Sequence, residues 1–157
     1  SGASQALMII LMLIGGAPGS TAGGMKTTTF AVMIANAAAT FRRRDQIQVF
    51  HRRLNDEVVR NAATIAGMYM ALFFCGAFVI SVIENLPLSA CLFETASAVG
   101  TVGLTLGLTP DLGVVSKGIL IILMYFGRVG GLTLIYAAVP EKSRYIARYP
   151  EEKVNVG

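Results

Sequence analysis

A chain of 157 residues with 54% hydrophobic and 14% charged positions, and a mean hydropathy of +0.64, lies far to the apolar side of soluble domains. Its formal net charge is +4, and the basic residues gather in two blocks, so a membrane protein is expected and a nucleic-acid partner is not. Enzyme chemistry has few candidates. Cys75 and Cys91 stand apart in apolar surroundings without a CxxC pair or nearby histidines, so neither a zinc site nor a disulfide framework is indicated and both read as small apolar fillers. The single histidine, His51, sits in a basic stretch and reads as a solvated loop residue.

The first element begins within a few residues of Ser1. No basic n-region precedes it, so no cleavable signal peptide is expected; a chain that starts inside a longer protein, or one trimmed of its initiator methionine, fits this opening. The C-terminus reads as a finished polar tail. From Gln5 to Phe41 almost every residue is apolar or small, yet 37 residues of straight helix would reach about 55 Å, nearly twice a bilayer core. A break is therefore expected at Pro18 and the five glycines between Gly15 and Gly24. Non-helical backbone at membrane depth persists only where protein buries it or water lines it, and Lys26 favours water.

The same stretch, "GGAPGSTAGGMKTTT", imitates a phosphate-binding loop. Gly19 and Gly24 have the required spacing, but Met25 intervenes before Lys26, which moves the ammonium out of register with the loop amides. A membrane-associated nucleotide-binding protein using Gly19 to Thr27 is therefore only an alternative, as is a structural membrane fragment unconnected with ions.

Between Arg42 and Arg60 lie six arginines, Arg42, Arg43, Arg44, Arg52, Arg53 and Arg60. The tail adds Lys142, Arg144, Arg148 and Lys153, whereas Glu84 to Ser116 has no basic residue. The positive-inside rule makes residues 42–60 and 140–157 cytoplasmic and the Glu84 to Ser116 connection external. A docking role for "RRRDQIQVFHRRL" would be an addition to this topology signal. Asn61 to Ile83 is uncharged over 23 residues and, as a helix of about 34 Å, spans a bilayer.

The connection "ENLPLSACLFETASAVGTVGLTLGLTPDL" is too apolar for a solvated loop and too short for two spans. A re-entrant hairpin is expected: Pro87 in the first helical turn, Leu88 to Val99 as a half-helix, and "GTVGLTLG" from Gly100 as an extended return. Thr101-Val102-Gly103 repeats the start of the TVGYG run whose backbone carbonyls replace an ion's hydration shell, with Leu104 in place of tyrosine. The C-terminal end of the half-helix would favour a cation there. A loop that only packs is the alternative, but packing has no use for alternating threonine and glycine. Gly113 to Val139 follows as a second span, with Lys117 near one end and Arg128 deep inside.

"GGAPGSTAGGMKTTTF", "SAVGTVGLTLGLTP" and "FGRVGGLTL", in this order, resemble the third-repeat broken helix, fourth-repeat filter and fourth-repeat inner helix of the Trk/Ktr/HKT potassium-transporter superfamily. "FHRRL" leans toward the Ktr-type membrane subunit. The resemblance covers nearly the whole chain and implies an all-α membrane protein: an M1-pore loop-M2 repeat preceded by a broken inner helix of the previous repeat. Residues 1–41 would be that broken helix, 42–60 a cytoplasmic basic loop, 61–139 repeat four, and 140–157 a cytoplasmic tail.

The filter quarter then falls on Gly100, Thr101, Val102 and Gly103, with potassium at the Thr101, Val102 and Gly103 carbonyls. Gly15, Gly16, Pro18, Gly19, Ser20, Thr21, Gly23, Gly24 and Lys26 would form an intramembrane gating loop beneath it, with Arg128 of the last inner helix as its neighbour. The resemblance further implies potassium uptake, with a possible sodium dependence, through a multi-pass protein of the plasma (inner) membrane. No bound cofactor is expected. The partners would be membrane lipid, a second copy of the full-length subunit in a homodimer, and a separate cytosolic nucleotide-binding regulator ring.

Overall fold

The structure is a computed structural model that describes residues 2–43, 47–49 and 52–130. Among these are five α-helices: α1 (Gly2–Leu13), α2 (Thr27–Phe41), α3 (Asp56–Glu84), α4 (Leu88–Gly100) and α5 (Val114–Val129). The architecture is all-α apart from one two-residue ladder, β1 (Gln48–Val49) against β2 (Arg52–Arg53), antiparallel with Gln48 facing Arg53 and Val49 facing Arg52. The basic connection was expected to be plain loop. Its ladder is extended by Leu54 N–H donating to Ile47 O at 2.9 Å. His51 and the tail after Gly130 lie outside the described residues.

The break falls where proline and glycine put it, with α1 ending at Leu13 and α2 opening at Thr27. Helix α3 starts at Asp56, earlier than the uncharged run suggested, because Asn55 caps it, accepting from Glu57 N–H at 3.4 Å, and two acids occupy the first turn. It ends at Asn85, whose φ of 57° is the left-handed stop that asparagine tolerates. At 29 residues α3 is about 43 Å long. By length and composition it is the one described helix able to cross a membrane.

Helix α4 occupies the centre, packed against α1, α3 and α5. Cys91 and every residue from Phe93 to Gly100 are buried. Ile80 and Ala77 of α3, Cys91 and Val99 of α4, and Leu120 and Leu123 of α5 form the main core; Met12, Phe73, Phe93 and Ala96 form a second cluster where α1 reaches α4. Pro87 stands just before α4 and not inside its first turn: its carbonyl accepts from Ala90 N–H at 3.0 Å and Cys91 N–H at 3.3 Å. The opposite face of α3 exposes Phe74, Phe78 and Val82, a stripe at helical spacing. A helix apolar on both faces suits lipid or neighbouring spans better than water.

A carboxylate ties α3 to α5. Glu84, the last residue of α3, accepts from Gly113 N–H at 2.8 Å and from the Ser116 hydroxyl at 2.5 Å. It thereby closes the start of α5, where Gly113 has no side chain to do so.

Candidate functional site

Residues 14–26 form a closed loop. Ile14 and Met25 make a parallel bridge, Gly15 N–H donates to Met25 O at 2.7 Å, and Thr27 N–H donates to Gly16 O at 3.2 Å, so the two strands of the neck lie side by side. At the tip Ser20 N–H returns to Ala17 O at 3.0 Å around Pro18 and Gly19, the latter at φ +84°. Proline second and a positive-φ glycine third are the demands of a type II turn, so these residues build a structure as well as ending a helix. The Lys26 ammonium folds inward, donating to Ala22 O at 2.6 Å and Ser20 O at 3.5 Å. It stabilises the loop's own carbonyls, which a phosphate-binding lysine does not do. The tip, Ala17 to Ala22, is exposed, whereas Gly23, Gly24 and Met25 are buried.

That buried return docks on the end of α4 and on α5. Gly23 N–H donates to the Thr101 hydroxyl at 3.0 Å, and Gly24 N–H donates to Gly127 O at 2.9 Å. The Arg128 guanidinium donates through Nη1 to Thr21 O. Residues far apart in sequence thus meet at one point below the start of the "TVGLTLG" segment.

Helix α4 runs one residue further than expected, so Gly100 is its last helical residue and not the first of the extended return. The reason for a glycine there is space: a Cβ would come within 2.6 Å of Met12 O on α1. The turn itself falls on Thr101, at φ 51°, where Thr101 N–H donates to Ala98 O at 3.0 Å and Val102 N–H to Ser97 O at 2.9 Å. This is the paired closure of a Schellman motif, with threonine where glycine usually stands. A β-branched residue in the left-handed region carries strain of order 1 kcal/mol or more, and the hydrogen bond from Gly23 holds its side chain in place. Gly103, at φ +83°, has nothing within 4 Å of a would-be Cβ, so its need for glycine is conformational.

One residue of this region escaped the sequence reading. Glu94 of α4 is 4% exposed. Its Oε1 accepts from the Thr105 hydroxyl at 2.5 Å and Leu106 N–H at 3.0 Å, and its Oε2 from the Thr109 hydroxyl at 2.6 Å. The signal was available, because a lone acid in an apolar half-helix must find partners.

Comparison with known proteins gives these motifs a family. The TrkH profile, described as cation transport protein, matches residues 1–146. The chain is 39% identical to the potassium/sodium uptake protein NtpJ of Enterococcus hirae, over all of this chain and 36% of that protein. It is 36% identical to the Ktr system potassium uptake protein B of Bacillus subtilis, over 95% of this chain and 33% of the relative. The protein of the same name from Vibrio alginolyticus is 38% identical, over 96% and 33%. The chain spans about a third of the length of these relatives. On the extent of the profile match and the identity across almost every residue, the chain belongs to the TrkH family of cation transport proteins.

Proposed function

We propose that this chain is part of a membrane subunit that takes up potassium, with Thr101 to Gly103 as one quarter of the ion filter and Gly15 to Lys26 as a gate beneath it. The observation that carries this reading is the convergence at the foot of α4: Gly23 on Thr101, Gly24 on Gly127, and Arg128 on Thr21. A loop pinned directly under the segment that would hold the ion is placed to obstruct it. The Ktr and NtpJ relatives, named as potassium or potassium/sodium uptake proteins, supply the ion. No step of covalent chemistry is required, and the chain acts as a pathway and not as an enzyme.

In this arrangement residues 1–41 end the third repeat of a four-repeat pore and 61–139 form the fourth, with α4 as a re-entrant half-helix. The protein is multi-pass in the plasma (inner) membrane, with residues 42–60 and 140–157 on the cytoplasmic side. The complete subunit pairs with a second copy and answers to a cytosolic nucleotide-binding ring. An inside-negative potential of about 100 mV supplies about 2.3 kcal/mol per ion, enough for roughly fifty-fold accumulation without a coupled ion.

The test is Gly103→Ser in the full-length protein. A side chain at φ +83° favours a different backbone geometry, so potassium uptake at micromolar supply should become sensitive to excess sodium while insertion is preserved. Unchanged competition removes Gly103 from the filter.

A further inference from the structure

Most of the segment that follows Thr101 has little to rest on within this chain. Val102, Leu104 and Leu106 expose 46%, 42% and 41% of their surfaces, and a cleft of about 490 Å³ runs between the segment, α4 and α5. Among the described residues, the hydrogen bonds that tie residues 102–109 back to α4 are Val102 N–H to Ser97 O and the three that end on Glu94. The carboxylate is buried, and no described basic side chain pairs with it. Its partners form a small closed net, in which the Thr109 and Thr105 hydroxyl oxygens lie 3.0 Å apart, each with its proton on the carboxylate, and Gly107 N–H donates to Thr105 Oγ1 at 2.9 Å. One side chain thus fixes the outer turn from Thr105 to Thr109, beginning two residues beyond Gly103.

Resting on the filter reading above, we propose that Glu94 is a positioning residue for ion selectivity. Its carboxylate braces the outer turn from behind, and the turn holds the Thr101 to Gly103 backbone at the spacing that suits potassium. The segment is pinned at both ends, by the Schellman closure below and by Glu94 above, with Val102 to Leu104 stretched between them. Loss of the upper pin lets the backbone relax toward geometries that admit the smaller ion. Glu94 acts by accepting hydrogen bonds and not by lending its charge to the pathway, and this distinction is testable.

Glutamine keeps the size and one good acceptor, and its amide can donate to the Thr109 hydroxyl once that hydroxyl turns. Alanine removes the acceptor shared by all three donors, which then turn to water and release the turn from α4. In the full-length protein, sodium inhibition of potassium uptake should therefore be near wild type for Glu94→Gln and about five- to tenfold stronger for Glu94→Ala. Equal losses in both variants would show that charge is what matters and overturn the proposal. Should Glu94→Ala fail to insert, Thr105→Val with Thr109→Val removes two donors from the exposed side, and unchanged competition in that variant overturns it as well. Gly103→Ser, run alongside, separates the two ideas: if it alters competition while Glu94→Ala does not, the filter stands and the brace fails. If neither alters competition, the filter assignment itself falls.

Discussion

Gly127 is the tightest approach between α5 and the C-terminal end of α4, and Gly127→Ala is the sharpest test of how these helices fit. A Cβ at this position would overlap Val99 O outright, with Val99 C at 2.9 Å and Val99 Cα at 3.3 Å. Backbone atoms cannot swing away as a side chain can, so relief requires α5 or the last turn of α4 to retreat by roughly 1 Å. Overpacking of this kind costs about 1–3 kcal/mol. The retreat also pulls Gly127 O from Gly24 N–H, at 2.9 Å one of the loop's two holds on α5 beside Arg128 on Thr21 O. Val99 lies two residues before Thr101, so the displacement reaches the residues proposed as the filter. In detergent the full-length variant should melt a few degrees lower, and its potassium uptake should lose both rate and regulation. Gly118→Ala on the same helix is the control, because nothing lies within 4 Å of its would-be Cβ and alanine improves helix propensity by about 1 kcal/mol. Opposite effects of one substitution at two positions of α5 are expected. If the two variants melt and transport alike, the close approach is wrong.

On the gate reading, Arg128→Gln should raise flux by replacing the guanidinium that reaches Thr21 O with a shorter amide, and should do so much less once Ala17 to Gly23 is deleted, because both changes would release the same obstruction. Additive effects on the logarithm of flux across the four combinations in reconstituted vesicles would separate Arg128 from the loop. Glu84→Ala removes the acceptor of Gly113 N–H and Ser116 Oγ. It should lower the melting temperature while leaving sodium competition unchanged, and a change in ion preference would show that the α3–α5 clasp reaches the filter.

Much of this arrangement is local chemistry and was legible as such. A proline and five glycines inside an apolar run too long for one span leave the chain no choice but to break, and the break falls between Leu13 and Thr27. The half-helix after Pro87 and the non-helical segment after it follow from a switch in residue type that any sequence reading can see. Where the reading slipped, a distant partner decided the outcome. Gly100 looked like the turn because glycine is the residue that turns most cheaply, yet Met12 O from α1 claims its missing side chain and the helix continues. The turn then falls on Thr101, which local rules disfavour.

Thr101 shows why such sites resist local reading. Its hydroxyl is held by Gly23 N–H, 78 residues away, and Arg128 reaches Thr21 O across 107. No window of sequence contains both members of either pair. A threonine at positive φ is costly in isolation and tolerable once a second segment supplies a donor. The strained residue and the loop that supports it therefore form one unit: a loop that leaves takes with it the donor to the Thr101 hydroxyl. Glu94 belongs to the same logic on the other side of residues 102–104, a polar group that is expensive in an apolar helix until Thr105, Leu106 and Thr109 fold over it. In both places the residue that breaks a local rule marks where separate segments are joined, and both joints lie at the ends of the same three residues.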